Sequence, residues 1–122
     1  MKFYVTRHGE AVWNVYNKIC GRTDVELTEK GREQARQLAQ RAGEYQIDLI
    51  LCSPLQRAHE TAQTVADRWG IPLVVDERLI EQNYGIFEGK DRQDAGFLAN
   101  KRQFAFRYPE GGESMMQMAW RV

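Results

Sequence analysis

The hydrophobic residues of the chain fall into alternating strand-like and helix-like segments. Three short, mainly apolar runs at residues 2–6, 47–52 and 72–76 predict strands, the first of them buried. Between these runs, residues 28–45 and 53–70 repeat apolar side chains at the helical spacing of three and four positions. Strands that alternate with helices indicate an α/β fold with a parallel sheet and right-handed crossovers.

Capping residues predict where the two long helices begin and end. Thr28 can cap the first helix, which should end near Tyr45. For the second helix, Ser53 is expected to be the cap, Pro54 the first helical residue and Gln56 the capping-box side chain. The long stretch at residues 7–27 shows neither period, and irregular loops of this length inside a compact domain are usually functional.

The C-terminal third of the chain predicts less regular structure. Residues 91–107 are weakly helical and residues 109–114 form a turn, after which Ser114 can cap a last amphipathic helix. The apolar stripe of that helix continues to Val122, where the chain stops without a glycine or polar tail. We therefore expect the sequence to be incomplete or to end unusually early.

Composition and charge exclude several classes of protein. The chain has 122 residues, of which 43% are hydrophobic, and 17 Lys and Arg balance 17 Asp and Glu. These values predict one ordinary domain and disfavour nucleic acid and anionic membranes as partners. The two cysteines form no metal-binding pattern, and the apolar start is too short for a signal peptide. We expect a cytoplasmic protein that binds no metal.

Charged side chains follow each predicted strand. Arg7 and His8 come directly after the first strand, Arg57 lies just beyond the second, and Glu77 and Glu81 follow the third. Since ligands of parallel sheets bind at the carboxyl ends of the strands, these side chains should share one edge. An imidazole flanked by guanidinium groups and a carboxylate suits a phosphate group. These residues alone leave a phosphate enzyme and an anion-binding module about equally favoured.

Four ordered motifs resemble the histidine phosphatase superfamily, the phosphoglycerate-mutase-like group. They are Arg7-His8-Gly9-Glu10, Ser53-Pro54-Leu55-Gln56-Arg57-Ala58, Glu81-Gln82-Asn83-Tyr84-Gly85 and Pro109-Glu110-Gly111-Gly112-Glu113-Ser114. The resemblance implies one domain over residues 1–122, built as a three-layer, mostly parallel α/β sheet flanked by helices. It also implies that the C-terminal part is missing, including a strand with a second catalytic histidine.

The resemblance implies a two-step phosphoryl transfer without metal or cofactor. His8 would attack the phosphoryl group and become phosphohistidine, Arg7 and Arg57 would hold its oxygens, and Glu81 would act as general acid and then base. The substrate would be a small phosphorylated molecule. The residues expected to bind it are Asn14, Cys20, Gly21, Gln82 and Tyr84.

Departures from the family pattern bear on the type of reaction. Gln82 stands where mutases carry an arginine for the substrate carboxylate, and Cys20 replaces a hydroxyl residue. Without those contacts water is the favoured acceptor, so a phosphatase is preferred to a mutase. A mutase is one alternative. An inactive phosphate-binding or interaction domain is the other, because the second catalytic histidine of the family is absent and His59 is expected to be structural or exposed. Oligomeric state, including a homodimer, stays open.

Overall fold

The computed structural model describes residues 1–108 and 111–122. Two strands and five α-helices are assigned within these ranges, together with three single-turn 3-10 helices. The strands are β1 (Ile50–Cys52) and β2 (Leu73–Val75), and the helices are α1 (Val12–Val15), α2 (Glu29–Ala42), α3 (Gln56–Trp69), α4 (Ala95–Asn100) and α5 (Met115–Arg121). The 3-10 turns span Glu77–Leu79, Gly85–Phe87 and Lys101–Gln103.

The two strands confirm the predicted parallel sheet. They pair in parallel with Ile50 opposite Leu73 and Cys52 opposite Val75. Helix α3 connects them, so the chain passes from β1 through α3 into β2 as a β-α-β unit. The carboxyl ends of both strands therefore lie at the same edge of the sheet. The turn of α3 that carries Arg57 follows β1 from this edge, and the next segment of the chain follows β2 from it.

The prediction of a buried strand at residues 2–6 is wrong in this structure. Residues 1–10 have no regular secondary structure, and Phe3 and Val5 are 83% and 96% exposed. Apolar and β-branched composition favours a strand only where a neighbour accepts its backbone hydrogen bonds. Within the described ranges, the assigned sheet pairs β1 only with β2. Residues 2–6 therefore have no partner strand, and their apolar side chains are not buried against a sheet.

Helix α2 begins as predicted and ends slightly early. The Thr28 hydroxyl oxygen accepts a hydrogen bond from the Gly31 N–H at 3.0 Å, which satisfies one of the unpaired donors of the first turn. The helix ends at Ala42, three residues before the predicted end at Tyr45. Helix α3 ends at Trp69, and Gly70, where its end was predicted, is the C-cap residue with a left-handed φ of 65° that glycine adopts without strain.

The start of α3 corrects the predicted cap. Ser53 and Pro54 precede the helix, and Leu55 is the N-cap residue without a side-chain cap. The cap comes from the distant Asp24, whose carboxylate accepts the Gln56 N–H at 2.7 Å. The Gln56 side-chain amide in turn donates to the Asp24 carbonyl at 2.9 Å. The helix start is therefore tied to the loop at residues 7–27.

Among the described residues, buried apolar side chains gather in two separate clusters. Between α2 and α3, the buried Ala39, Ala42 and Val65 pack with partly buried neighbours at positions 38, 47 and 50. The other cluster joins the loop to the C-terminal part of the chain. Its members are the buried Ile19, Phe87 and Phe104, with Tyr84, Phe97 and Tyr108 packed against them.

The C-terminal third has short helices, as predicted. Helix α4 and the turn after it occupy part of the weakly helical stretch at residues 91–107. Ser114 caps α5, where it and Gln117 form a reciprocal capping box. Pro109 and Glu110, part of the predicted turn, lie outside the described residues. None of the helices described is both long and apolar enough to cross a bilayer.

The contact between Asp24 and Gln56 predicts a specific loss of stability. Asp24→Ala should lower the free energy of unfolding by about 1 kcal/mol, because the first turn of α3 loses its acceptor. Asp24→Asn keeps a side-chain oxygen and should cost less than about 0.5 kcal/mol. Urea unfolding followed by circular dichroism measures both values. Equal losses in the two variants would contradict the capping role.

Candidate active site

The His8 side chain is held in one orientation by the backbone of its neighbour Gly9. Its ring is half-buried, and Nδ1 lies 2.6 Å from the carbonyl oxygen of Gly9. Because a carbonyl can only accept, Nδ1 carries the proton in this contact and Nε2 keeps its lone pair. The neutral ring is thereby set up as a nucleophile or base at Nε2.

A buried hydroxyl connects the histidine segment to α3. The Gly9 N–H donates to Thr61 Oγ1 at 3.2 Å, and the Thr61 hydroxyl donates to the Arg57 carbonyl at 2.7 Å. Thr61 is 4% exposed. One side chain therefore fixes the distance between the backbone next to His8 and the first turn of α3.

The Arg57 guanidinium is buried and bound to the loop. Arg57 is 3% exposed, and its Nη1 and Nη2 donate to the carbonyls of Thr23 and Gly21 at 2.9 and 2.6 Å. A guanidinium has five N–H groups, so these two bonds leave donors for a further acceptor. A buried cation with spare donors can bind an anion in a fixed geometry.

The Glu88 carboxylate holds the other side of that loop. It accepts hydrogen bonds from the N–H groups of Gly21, Arg22 and Tyr84 and from the Thr23 hydroxyl, at 2.8 to 3.2 Å. A side chain at position 21 would place its Cβ about 2.1 Å from the Gln82 carbonyl oxygen, so only glycine fits.

Three of the residues predicted to be catalytic act electrostatically on the fourth, His8. The pKa of His8 is lowered below 6.5, chiefly by burial, and the charges of Arg57 and Arg7 lower it further. The hydrogen bond to Gly9 and the charge of Glu81 raise it in opposition. Arg7 and Glu81 are exposed to solvent, whereas Arg57 is buried. Arg7, Arg57 and Glu81 thus lie close enough to His8 for their charges to act on its ring.

Three of the predicted substrate-binding residues lie beside this group. Burial raises the pKa of the Cys20 thiol, against the charge of Arg57, and the charge of Glu81 adds to the rise. Burial also raises the pKa of the Tyr84 hydroxyl, with Glu81 again contributing. Gly21 supplies a carbonyl to Arg57, as described above.

The side chains of the other two predicted binding residues are engaged elsewhere. Asn14 is exposed, and its Oδ1 accepts the Ala11 N–H at 2.8 Å at the start of α1. Gln82 is 5% exposed, and its Nε2 donates to the Glu113 carbonyl at 2.8 Å. Their roles in substrate binding stay predictions. His59 is half-buried on α3.

Several residues that shape the site received no predicted role. Three of them, Thr61, Glu88 and Glu113, lie within or beside the four motifs. The sequence therefore pointed to these positions but did not indicate which residues they contact. Arg121 gave no local signal for its contacts with the carbonyls of Arg78, Ile80 and Glu81, which lie about 40 positions away along the chain. Among the described residues, no group of three or more His, Cys, Asp or Glu side chains could hold a metal ion.

The fold and the site define an α/β protein with an imidazole and a buried guanidinium gathered at the sheet edge. The sequence matches the histidine phosphatase superfamily (branch 1) over residues 3–122, so the chain belongs to that family. This is the family that the four motifs resembled, and it includes phosphoglycerate-mutase-like proteins.

Curated relatives and solved structures agree with this assignment. The chain is 36% identical to the probable phosphoglycerate mutase GpmB of Erwinia tasmaniensis and 37% identical to that of Cronobacter sakazakii, with all of this chain aligned. A mycobacterial glucosyl-3-phosphoglycerate phosphatase, solved with VO3, is 36% identical with a TM-score of 0.86 over 94% of this chain. The chain spans 60% of those relatives and 57% of that structure.

The Thr61 bridge predicts different effects for two similar substitutions. Thr61→Val keeps the shape but leaves the buried Gly9 N–H without an acceptor, which should cost about 2 kcal/mol of unfolding free energy. Thr61→Ser keeps the hydroxyl and loses one methyl group, at about 1 kcal/mol. Urea denaturation measures both values. A serine variant less stable than the valine variant would disprove the bridge.

Proposed function

We propose that the protein is a metal-independent phosphomonoester hydrolase that acts through a phosphohistidine at His8 on a small phosphorylated metabolite. The chain's membership of the histidine phosphatase superfamily supports this proposal. The observation that carries the proposal is the state of the His8 ring. Its Nδ1 is occupied by the Gly9 carbonyl, and its lowered pKa favours the neutral form with a lone pair on Nε2.

In the first step, the Nε2 lone pair forms a bond to phosphorus as the bond from phosphorus to the ester oxygen breaks. Arg57 and Arg7 bind the phosphoryl oxygens and stabilise the charge that spreads over them. Glu81 gives its proton to the leaving ester oxygen, so that an alcohol departs. The products of this step are the alcohol, a carboxylate at Glu81 and phosphohistidine at His8.

In the second step, water attacks the phosphohistidine. The Glu81 carboxylate takes a proton from the water as its oxygen bonds to phosphorus and the phosphorus–nitrogen bond breaks. Inorganic phosphate leaves, His8 regains its lone pair and Glu81 is protonated again. Both steps use the same two arginines, and neither requires a metal ion.

Hydrolysis is favoured over mutase chemistry by the placement of Gln82. A mutase must retain its substrate while the phosphoryl group returns to a different oxygen, which requires groups that bind the rest of the molecule. The Gln82 amide is buried and donates to the Glu113 carbonyl, so it is committed to the protein. The similarity to a glucosyl-3-phosphoglycerate phosphatase also supports hydrolysis.

Removal of the proposed nucleophile should abolish turnover. His8→Ala should lower kcat/KM for p-nitrophenyl phosphate by at least roughly a thousandfold in the presence of EDTA, because phosphohistidine cannot form. His59→Ala is the matched control and should retain activity. A His8→Ala variant that retains activity would reject the nucleophile.

Three measurements on the wild-type protein, of phosphate release, phosphoglycerate interconversion and phosphate binding, separate the alternative functions. Release of inorganic phosphate supports a hydrolase, whereas transfer between 2- and 3-phosphoglycerate without phosphate release supports a mutase. Binding of phosphate without turnover of any ester would support the inactive phosphate-binding domain.

The charges around His8 predict its titration. The midpoint measured by NMR on its ring should lie below 6.5, and activity should fall as the pH drops through it, because protonation removes the lone pair. Arg7→Gln should raise the midpoint, since a charge that disfavours imidazolium is lost, and Glu81→Gln should lower it. Shifts of the opposite sign in either variant would contradict the proposed site.

A further inference from the structure

The segment that carries Glu81 has little secondary structure of its own. After the 3-10 turn at Glu77–Leu79, no helix or strand is assigned between Ile80 and Tyr84. Glu81 is exposed, and its Oε1 accepts the N–H of its neighbour Gln82 at 2.8 Å. A proton donor on such a segment depends on contacts from elsewhere for its position.

Arg121, in the last turn of α5, provides several of these contacts. Its Nε and Nη2 bind the two carboxylate oxygens of Glu113 at 2.7 and 3.0 Å, a bidentate pair. Its Nη2 also donates to the carbonyls of Ile80 and Glu81 at 2.6 and 3.2 Å, and its Nη1 donates to the carbonyl of Arg78. One guanidinium therefore holds three backbone carbonyls of the segment.

Glu113 completes the clamp from the other side. Its Oε2 accepts the Asn83 N–H at 3.2 Å, and its own N–H donates to the Asn83 carbonyl at 2.8 Å. Its carbonyl accepts the side-chain amide of Gln82. The hydrogen bond from Arg121 is the main reason that the pKa of Glu113 is lowered. We refer to Arg121 and Glu113, with these bonds, as the clamp.

Apolar packing contributes little to the burial of α5. Helix α5 has no buried residue, and its Met115 and Trp120 are 51% and 93% exposed. The clamp is much better shielded, with 21% of the Arg121 side chain and 12% of the Glu113 side chain exposed. Polar contacts therefore determine how the segment with Glu81 is held against α5.

We propose that Arg121 is a positioning residue that orients the Glu81 carboxyl group toward the ester oxygen. This inference rests on the proposed function of Glu81 as the general acid. Arg121 fixes the backbone on both sides of Glu81 through the carbonyls of Ile80 and Glu81 and through Glu113. Loss of the clamp impairs proton transfer to the leaving group while the attack by His8 Nε2 proceeds.

The test compares two esters that differ in their need for a proton. An alkyl phosphate releases a poor leaving group that must be protonated, whereas 2,4-dinitrophenyl phosphate releases a stable anion. Arg121→Lys keeps the charge but loses the bidentate geometry. It should lower kcat/KM by roughly a hundredfold for the alkyl ester and by less than about threefold for the dinitrophenyl ester. Arg36→Lys, in another Arg–Glu pair on α2, is the matched control and should change neither.

Two further variants define the origin of the effect. Glu81→Gln should show the same difference between the two esters, which we call the ester split: kcat/KM falls by roughly a hundredfold or more for the alkyl ester and much less for the dinitrophenyl ester. Adding Arg121→Lys to Glu81→Gln should cause little further loss, since both changes act on the same proton transfer. Glu113→Gln disrupts the clamp from its other side and should reproduce the ester split, which tests the inference even where the lysine variant does not fold.

Hydrogen exchange supplies a readout that does not depend on turnover. In Arg121→Lys, the amides of residues 80–84 should exchange faster, while those of α2 and α3 keep their protection. Equal losses for both esters, or unchanged exchange at residues 80–84, would overturn the positioning role. A Glu81→Gln variant without the ester split, or wild-type protein that hydrolyses neither ester, would overturn the proposed function and, with it, this inference.

Discussion

The buried guanidinium of Arg57 is the interaction on which the rest of the site depends. A cation that is 3% exposed is costly unless its donors are satisfied, and the carbonyls of Gly21 and Thr23 satisfy two of them. The carbonyl of Arg57 meanwhile accepts the Thr61 hydroxyl, which holds Gly9. The Arg57 side chain therefore positions the loop on α3, and Thr61, one turn further along the same helix, positions the histidine segment.

Much of the fold was predictable because its signals are local. The helical periods of α2 and α3 and the caps at Thr28, Gly70 and Ser114 depend on residues within a few positions of one another. The start of α3 was not predictable in this way, because its cap comes from Asp24, more than thirty positions earlier. The prediction of a strand at residues 2–6 failed for a related reason. A strand needs a partner strand, and the local sequence does not specify one.

The site was predictable in its charges and less so in its hydrogen bonds. The sequence grouped His8 with Arg57 and Glu81, whose charges act on the pKa of His8, although the strand predicted just before His8 does not form. It did not indicate that Gln82 donates to Glu113 or that Arg121 holds the backbone at Glu81. Such contacts join segments from distant parts of the chain, and each depends on the tertiary fold.

The site must bind a phosphate dianion and also keep the His8 ring neutral. The arginines that can bind a phosphoryl group also disfavour the imidazolium form, which keeps the ring nucleophilic in the empty site. A bound phosphate dianion would offset their charge and so favour protonation of the ring as the reaction begins. Burial is the largest influence on the pKa of His8 and does not depend on the charge of the arginines. The half-buried position of the ring is therefore what preserves its lone pair once the anion is bound.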